Sequence, residues 1–257
     1  MNSLKNFVLI LGTCFIVPTY CMVAQPFAAE RNRQPVPYVM EDPGSGKAFD
    51  PSELKGLSYP SAFSGDRKRG ELIYGREGCA QCHTQVIRPD YAGIDQFKKG
   101  WGANQEPNPA GPVPTRQTNM WDYLHEDFAM IGQRRIGPDL ANAGYRFDGN
   151  VGAETDVSKI KAAKLRGLND FYLYLYAPRA RKEWSISPGY PGLFITRPKE
   201  GAGSELALKL PANLAPAGGM EIVPSSEARA LAEYVLGLKR DQVIPVSLSG
   251  AKPKGSN

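Results

Sequence analysis

From Asn6 to Ala29 the chain carries no charged residue, and the run is most apolar between Phe7 and Ala24. As a helix it spans about 36 Å against a hydrocarbon core of about 30 Å, so a lipid bilayer is the environment that matches it. Two readings stay open: a retained anchor over residues 1–29, or an export signal that is cut away. Cleavage after Ala29 wants a small side chain where Phe27 stands, which favours the anchor. Pro18 and Thr19 weaken a membrane span without forbidding it. Lys5 precedes the run while Arg31 and Arg33 follow it, so flanking charge does little to orient it. Either way the body of the chain is expected to be exported. Cys14 and Cys21 stand seven residues apart, roughly 10 Å along a helix axis and beyond the ~7 Å that a disulfide spans. They read as small apolar side chains.

Behind the anchor, residues 30–62 hold Pro35, Pro37, Pro43, Pro51 and Pro60 with no sustained period, which predicts an extended tether. A head follows over residues 63–244, and residues 245–257 carry the composition of a disordered tail. Within the head, Ser64 is placed to cap a short helix that Gly75 and Gly78 stop. The proline-dense stretch 104–118 reads as a surface insertion. A helix is expected through "LNDFYLYLYAPR", capped by Asn169 or Asp170 and closed by Pro178. The clearest helix is the last. Ala228, Leu231, Ala232, Val235 and Leu236 make one apolar face, Ser225 or Ser226 caps it, and Lys239 and Arg240 suit its negative end. No strand signal stands out, so the class is mostly α with long loops. The net charge of +5 is spread thinly, with no aromatic-basic platform, which argues against a nucleic-acid partner.

The helix that begins near Ser64 runs into Cys79-Ala-Gln-Cys82-His83. Zinc would need four ligands, commonly two paired knuckles, and the only other histidine is His125. A redox dithiol belongs beside a βαβ pattern, which this sequence lacks. The third reading uses every residue: two thiols that add to the vinyl groups of haem, with the adjacent imidazole on the iron. "RIGPDLANAG" then follows at 135–144 and the amphipathic helix comes last. That order resembles a class I cytochrome c: a helix ending in the attachment site, a Gly-Pro turn, a ligand loop and a closing helix. In that fold the proline carbonyl accepts the Nδ1 proton of the haem histidine, a part that the resemblance gives to Pro138.

A narrower resemblance lies in three blocks. "GREGCAQCHTQVIRPD" is similar to the attachment segment of the membrane-anchored monohaem subunit of cbb3-type cytochrome c oxidases. "GQRRIGPDLANAG" resembles its next block, and "LYAPRARKEWSISPGYPGLF" resembles its ligand-loop block. The resemblance implies a class I cytochrome c fold with long loop insertions behind one N-terminal transmembrane helix. It implies one covalent haem c held by Cys79 and Cys82, with His83 as an axial ligand. It also implies an electron-transfer role without catalytic residues, among the catalytic and other cytochrome subunits of a respiratory oxidase. The implied place is the bacterial inner membrane, with the haem domain facing the periplasm. Where the family carries its axial methionine, this chain has Ser187. Met220, after two glycines and before the last helix, is the favoured replacement; His125, Met120 and Met130 are weaker ones. Arg88 and Arg179, with Arg181 beside them, are candidates for the haem propionates, and Tyr190 for the haem surroundings. Two other roles stay open: a free-standing periplasmic shuttle, and a sensor or enzyme with an open iron site.

Overall fold

The computed structural model describes residues 2–31, 36–37, 58–59, 62–98, 100–102, 115–124, 126–147 and 156–241. The expected tail, most of the tether, His125 and residues 104–114 of the insertion lie outside the described residues. About half of the structure is helical, with a small two-stranded sheet in the head.

The apolar run folds as α1 (Asn2–Thr19), a π-helical turn (Tyr20–Ala24) and α2 (Gln25–Arg31), continuous along the chain. Ser3–Ala29 is long and apolar enough to cross a membrane, and none of it is buried against the rest of the protein. Large side chains such as Phe7, Leu9, Ile16 and Phe27 are more than half exposed, so only an apolar surrounding removes them from water. Pro18 lies inside α1 and brings no backbone N–H. Two residues on, the ladder widens to the π register, with Gln25 N–H donating to the Tyr20 carbonyl. Thr13 stays satisfied within the helix: its hydroxyl donates to the Leu9 carbonyl at 2.8 Å.

A short ladder pairs β1 (Val36–Pro37) with β2 (Ser58–Tyr59) in antiparallel register, inside the stretch read as a plain tether. The head begins with α3 (Gly65–Arg76). Ser64 takes the N-cap position, although its hydroxyl makes no capping bond. Glu77 ends the helix, and Gly78 at φ +73° turns the chain into a 3-10 turn over Cys79–Gln81. After α4 (Ala143–Arg146) comes α5 (Val157–Tyr176), which starts well before the expected cap. Asp156 caps it by accepting from Ser158 N and Lys159 N, and the alanine- and lysine-rich first turns carry the helix to Asn169 and Asp170. Pro178 opens the short α6 (Pro178–Arg181). The sequence showed no strand here, yet β3 (Phe194–Pro198) and β4 (Met220–Pro224) pair along their whole length, from Phe194 with Pro224 to Pro198 with Met220. Ser225 then caps α7 (Ser226–Leu236), accepting from Ala228 N at 3.2 Å.

The core forms where α3 meets α7. Arg76, at the end of α3, pairs with Glu227, while Arg69 and Arg67, near its start, donate to the Ser226 and Gly237 carbonyls, so α3 reaches both ends of α7. At the crossing, a Cβ on Gly70 would stand 2.0 Å from the Ala230 carbonyl oxygen and 2.8 Å from Tyr234 Cβ. Only glycine lets the two backbones approach this closely. Tyr74 and Tyr234 pack with ring centroids 5.3 Å apart, and Ile73, Leu231, Val235 and Leu238 complete the contact. Arg240 does not stay at the helix end as expected. It turns inward, 4% exposed, onto Glu126 at 2.6 Å and Gln85 Oε1 at 3.0 Å. A pair this deep holds by hydrogen bonds as well as charge, because desolvation offsets much of the Coulomb gain.

Gly70→Ala should destabilise the head by about 1–3 kcal/mol or more, since backbone must move. Gly75→Ala, whose Cβ meets only the mobile Met130 Cε at 3.2 Å, should be neutral or stabilising. Thermal unfolding followed by circular dichroism separates the two. For the N-terminal helix, mass spectrometry of the mature chain should find residues 7–27 still attached, whereas a mature start near Gln25 or Glu30 would show a cleaved signal.

Candidate functional site

Two chain segments are stitched together beneath the turn that holds Cys79. Gln133 N–H donates to the Ala80 carbonyl, Gly137 N–H to Cys82, Leu140 N–H to Thr84, and Gln85 N–H to Ile131. Two glycines permit the approach. A Cβ on Gly132 would stand 2.1 Å from the His83 carbonyl oxygen, and one on Gly137 would stand 2.2 Å from His83 Cε1. Gly137 therefore lies directly against the imidazole. The buried Asp139 locks the pair by accepting from Thr84 Oγ1 at 2.6 Å, Val86 N at 2.7 Å and Ala141 N at 2.8 Å. His83 Nδ1 sits 2.8 Å from the Pro138 carbonyl. A carbonyl only accepts, so Nδ1 carries the proton and Nε2 keeps the lone pair. Burial holds this imidazole below its ordinary pKa against the pull of Pro138, and the Arg146 charge adds to the lowering. The ring is thus neutral, fixed in tautomer and ready to act as a ligand.

Cys79, Cys82 and His83 open onto one cavity of about 460 Å³, walled largely by apolar side chains that include Tyr74, Phe171, Leu231 and Val235. That volume lies in the range of cofactor sites, roughly 300–1,000 Å³. Both cysteines are free thiols. Burial pushes the Cys79 thiol up to about 11. A redox dithiol needs the opposite, a thiol lowered toward neutrality, so this turn is poorly suited to disulfide exchange. Among the described residues, no three His, Cys, Asp or Glu side chains converge as a metal site would require. Tyr190 lines the same cavity as Cys79.

The cations are arranged differently from the sequence reading. Arg88 does not line the cavity; it forms a two-pronged pair with the buried Asp95, at 2.8 and 3.0 Å. Arg179 is also turned away, its Nε donating to the Ser185 carbonyl at 3.2 Å. Arg181 reaches the cavity while held by Asp170 at 2.5 Å. The residue that sequence reasoning missed is Arg146. Its Nη2 donates to the Asp139 carbonyl at 2.6 Å, and its Nη1 is buried without a hydrogen-bond partner on the cavity. Burial draws this guanidinium down to about 10. An unsatisfied buried donor is costly, and an anionic group in the cavity would satisfy it. Its sequence signal is its place, one short helix after the Gly-Pro turn.

Met220 is not brought to His83. It opens β4 and lines a second cavity, between α5 and the β3–β4 connection. The unforeseen ladder is the reason: four strand steps, about 13 Å, separate it from Pro224 at the head of α7. Met120 is 42% exposed on its own 3-10 turn, and Met130 packs against Gly75 and the core. Ser187 does line the cavity, its hydroxyl 3.4 Å from the Pro188 carbonyl. Compared with protein-family models and with curated proteins, the sequence finds no match.

Proposed function

We propose that this chain is a membrane-anchored carrier of single electrons, built around one covalent haem c in the cavity of Cys79, Cys82 and His83. One observation carries the reading: the 2.8 Å bond from His83 Nδ1 to the Pro138 carbonyl, on a cavity shared with two free thiols. Cys79 and Cys82 are the thioether-forming side chains, and His83 Nε2 is the axial donor. Haem c, when bound, supplies a one-electron iron couple whose potential depends on axial ligand and burial. Pro138 keeps the imidazole in one tautomer, and Gly137 keeps its ring from turning. Tyr74, Leu231 and Val235 exclude water from the same space. The half-buried Arg146 has a buried Nη1 without a hydrogen-bond partner, which a carboxylate such as a haem propionate would satisfy.

The setting rests on the sequence blocks described above. They favour a place beside the catalytic subunit of a cbb3-like haem–copper oxidase, with the head on the periplasmic face of a bacterial inner membrane. The N-terminal helix supplies the lipid contact that this arrangement needs.

Replacing Cys79 and Cys82 together by alanine should remove acid-resistant haem from the denatured chain, as read by haem staining after gel electrophoresis. Attachment that survives the double change would overturn the proposal. Arg146→Gln should leave the haem attached but lower its reduction potential by on the order of tens of millivolts, because a buried positive charge favours the reduced iron. Redox titration of the visible bands measures the shift.

A further inference from the structure

The inventory of side chains on the cavity is one-sided. Among the described residues that line it there is one imidazole, His83, and no thioether. Each described methionine has another place: Met22 on the exposed apolar helix, Met120 on an exposed turn, Met130 in the core, and Met220 on the second cavity. What the cavity has instead is a strap, residues 182–190, contributing Trp184, Ile186, Ser187 and Pro188. Backbone bonds pin the strap, with Ser185 N–H donating to the Lys182 carbonyl and Tyr190 N–H to the Leu175 carbonyl, both at 2.9 Å. Its polar groups are already engaged or weak as ligands. The Lys182 ammonium sits 5.2 Å over the Trp184 ring, and Tyr190 and Ser187 offer only neutral hydroxyls. The strap is also thin: Trp184 is 78% and Ile186 75% exposed although both line the cavity, so small molecules have a short path inward.

We propose that His83 is the single strong axial ligand that the described residues bring to the cavity, and that the space under the strap takes a small exogenous ligand of the carbon monoxide, nitric oxide or cyanide type. The inference rests on the haem reading given above. Ser187, with only a long 3.4 Å bond to Pro188, is one hydroxyl on the strap that could donate to such a ligand. A ligand that prefers ferrous iron stabilises the reduced state, so its binding raises the potential and withholds the electron. The carrier would thereby respond to a dissolved gas.

The experiment uses the full haem-loaded chain in detergent, with carbon monoxide on the reduced protein and cyanide on the oxidised protein. The expected result is a complete shift of the main absorption band with each probe at neutral pH, without denaturant. Met130→Ala and Met220→Ala should leave both reactions unchanged. Ser187→Met, which places a thioether on the strap, should weaken carbon monoxide binding about tenfold or more and bring in the near-infrared charge-transfer band of methionine-ligated ferric haem. A native chain that carries covalent haem yet stays inert to both probes overturns the inference while leaving the haem reading intact. So does a chain that reacts only after His125→Ala, since His125 would then be the second ligand. A denatured chain without covalent haem would overturn the haem reading and this inference with it.

Discussion

The close approach of two backbones at Gly70 is the constraint on which the rest of the head depends. A helix of ordinary residues keeps its axis about 8–10 Å from its neighbour. Here the Ala230 carbonyl occupies the space where a side chain on residue 70 would begin. With the helices this near, Tyr74, Leu231 and Val235 come together as one apolar wall of the cavity. The end of α3 is fixed by the same contact, and the left-handed turn at Gly78 then carries Cys79 onto that wall. Packing far from the thiols therefore decides where they lie.

A second constraint acts on the histidine. Four main-chain hydrogen bonds tie residues 80–85 to residues 131–140, and two glycines make room for them. The Asp139 carboxylate takes three donors in a buried position, which offsets the cost of keeping it there. Burial still pushes its pKa up, against the pull of those donors and of Arg135. The result is an imidazole held by the Pro138 carbonyl and the close backbone of Gly137, with the Asp139 carboxylate fixing the segments that carry them.

Much of this was legible in the sequence where local chemistry decides structure. The helix stop at Gly78, the Ser225 cap and the apolar face of α7 follow from short-range signals, while the contact of His83 with Pro138, 55 residues away, was expected only from the family resemblance. The errors fall where partners distant in sequence decide. The β3–β4 ladder was missed because β3 is exposed along most of its length and shows no buried alternation, while proline closes both strands. That one omission misplaced Met220. Asn169 and Asp170 look like caps, yet they lie inside α5 because better formers on both sides outweigh their weak preference. Arg88 and Arg179 carry the right charge for a propionate, but Asp95 and the Ser185 carbonyl claim them. A sequence shows how many cations a loop holds and does not show which are already paired. Arg146 differs in having one buried guanidinium nitrogen left without a hydrogen-bond partner.

The two sides of the cavity are consequently built to different standards. On the side of His83, backbone meets backbone across glycines, and four main-chain hydrogen bonds join the two segments. On the side of the strap, exposed Trp184 and Ile186 close the space and only a few main-chain bonds hold the segment. For the proposed haem, rigid geometry on one side would suit a ligand that must not move between two iron states, because any rearrangement adds to the barrier for electron passage. A thin and weakly polar second side suits exchange with solvent, since little must be broken to admit a small molecule. Burial by Tyr74, Leu231 and Val235 and the charge of Arg146 set the environment in both cases, and they come from the α3–α7 core and from α4. In the haem reading proposed above, potential and access would be governed by separate parts of the fold. Substitutions in the strap can alter what reaches the cavity while the histidine and its proline stay as they are.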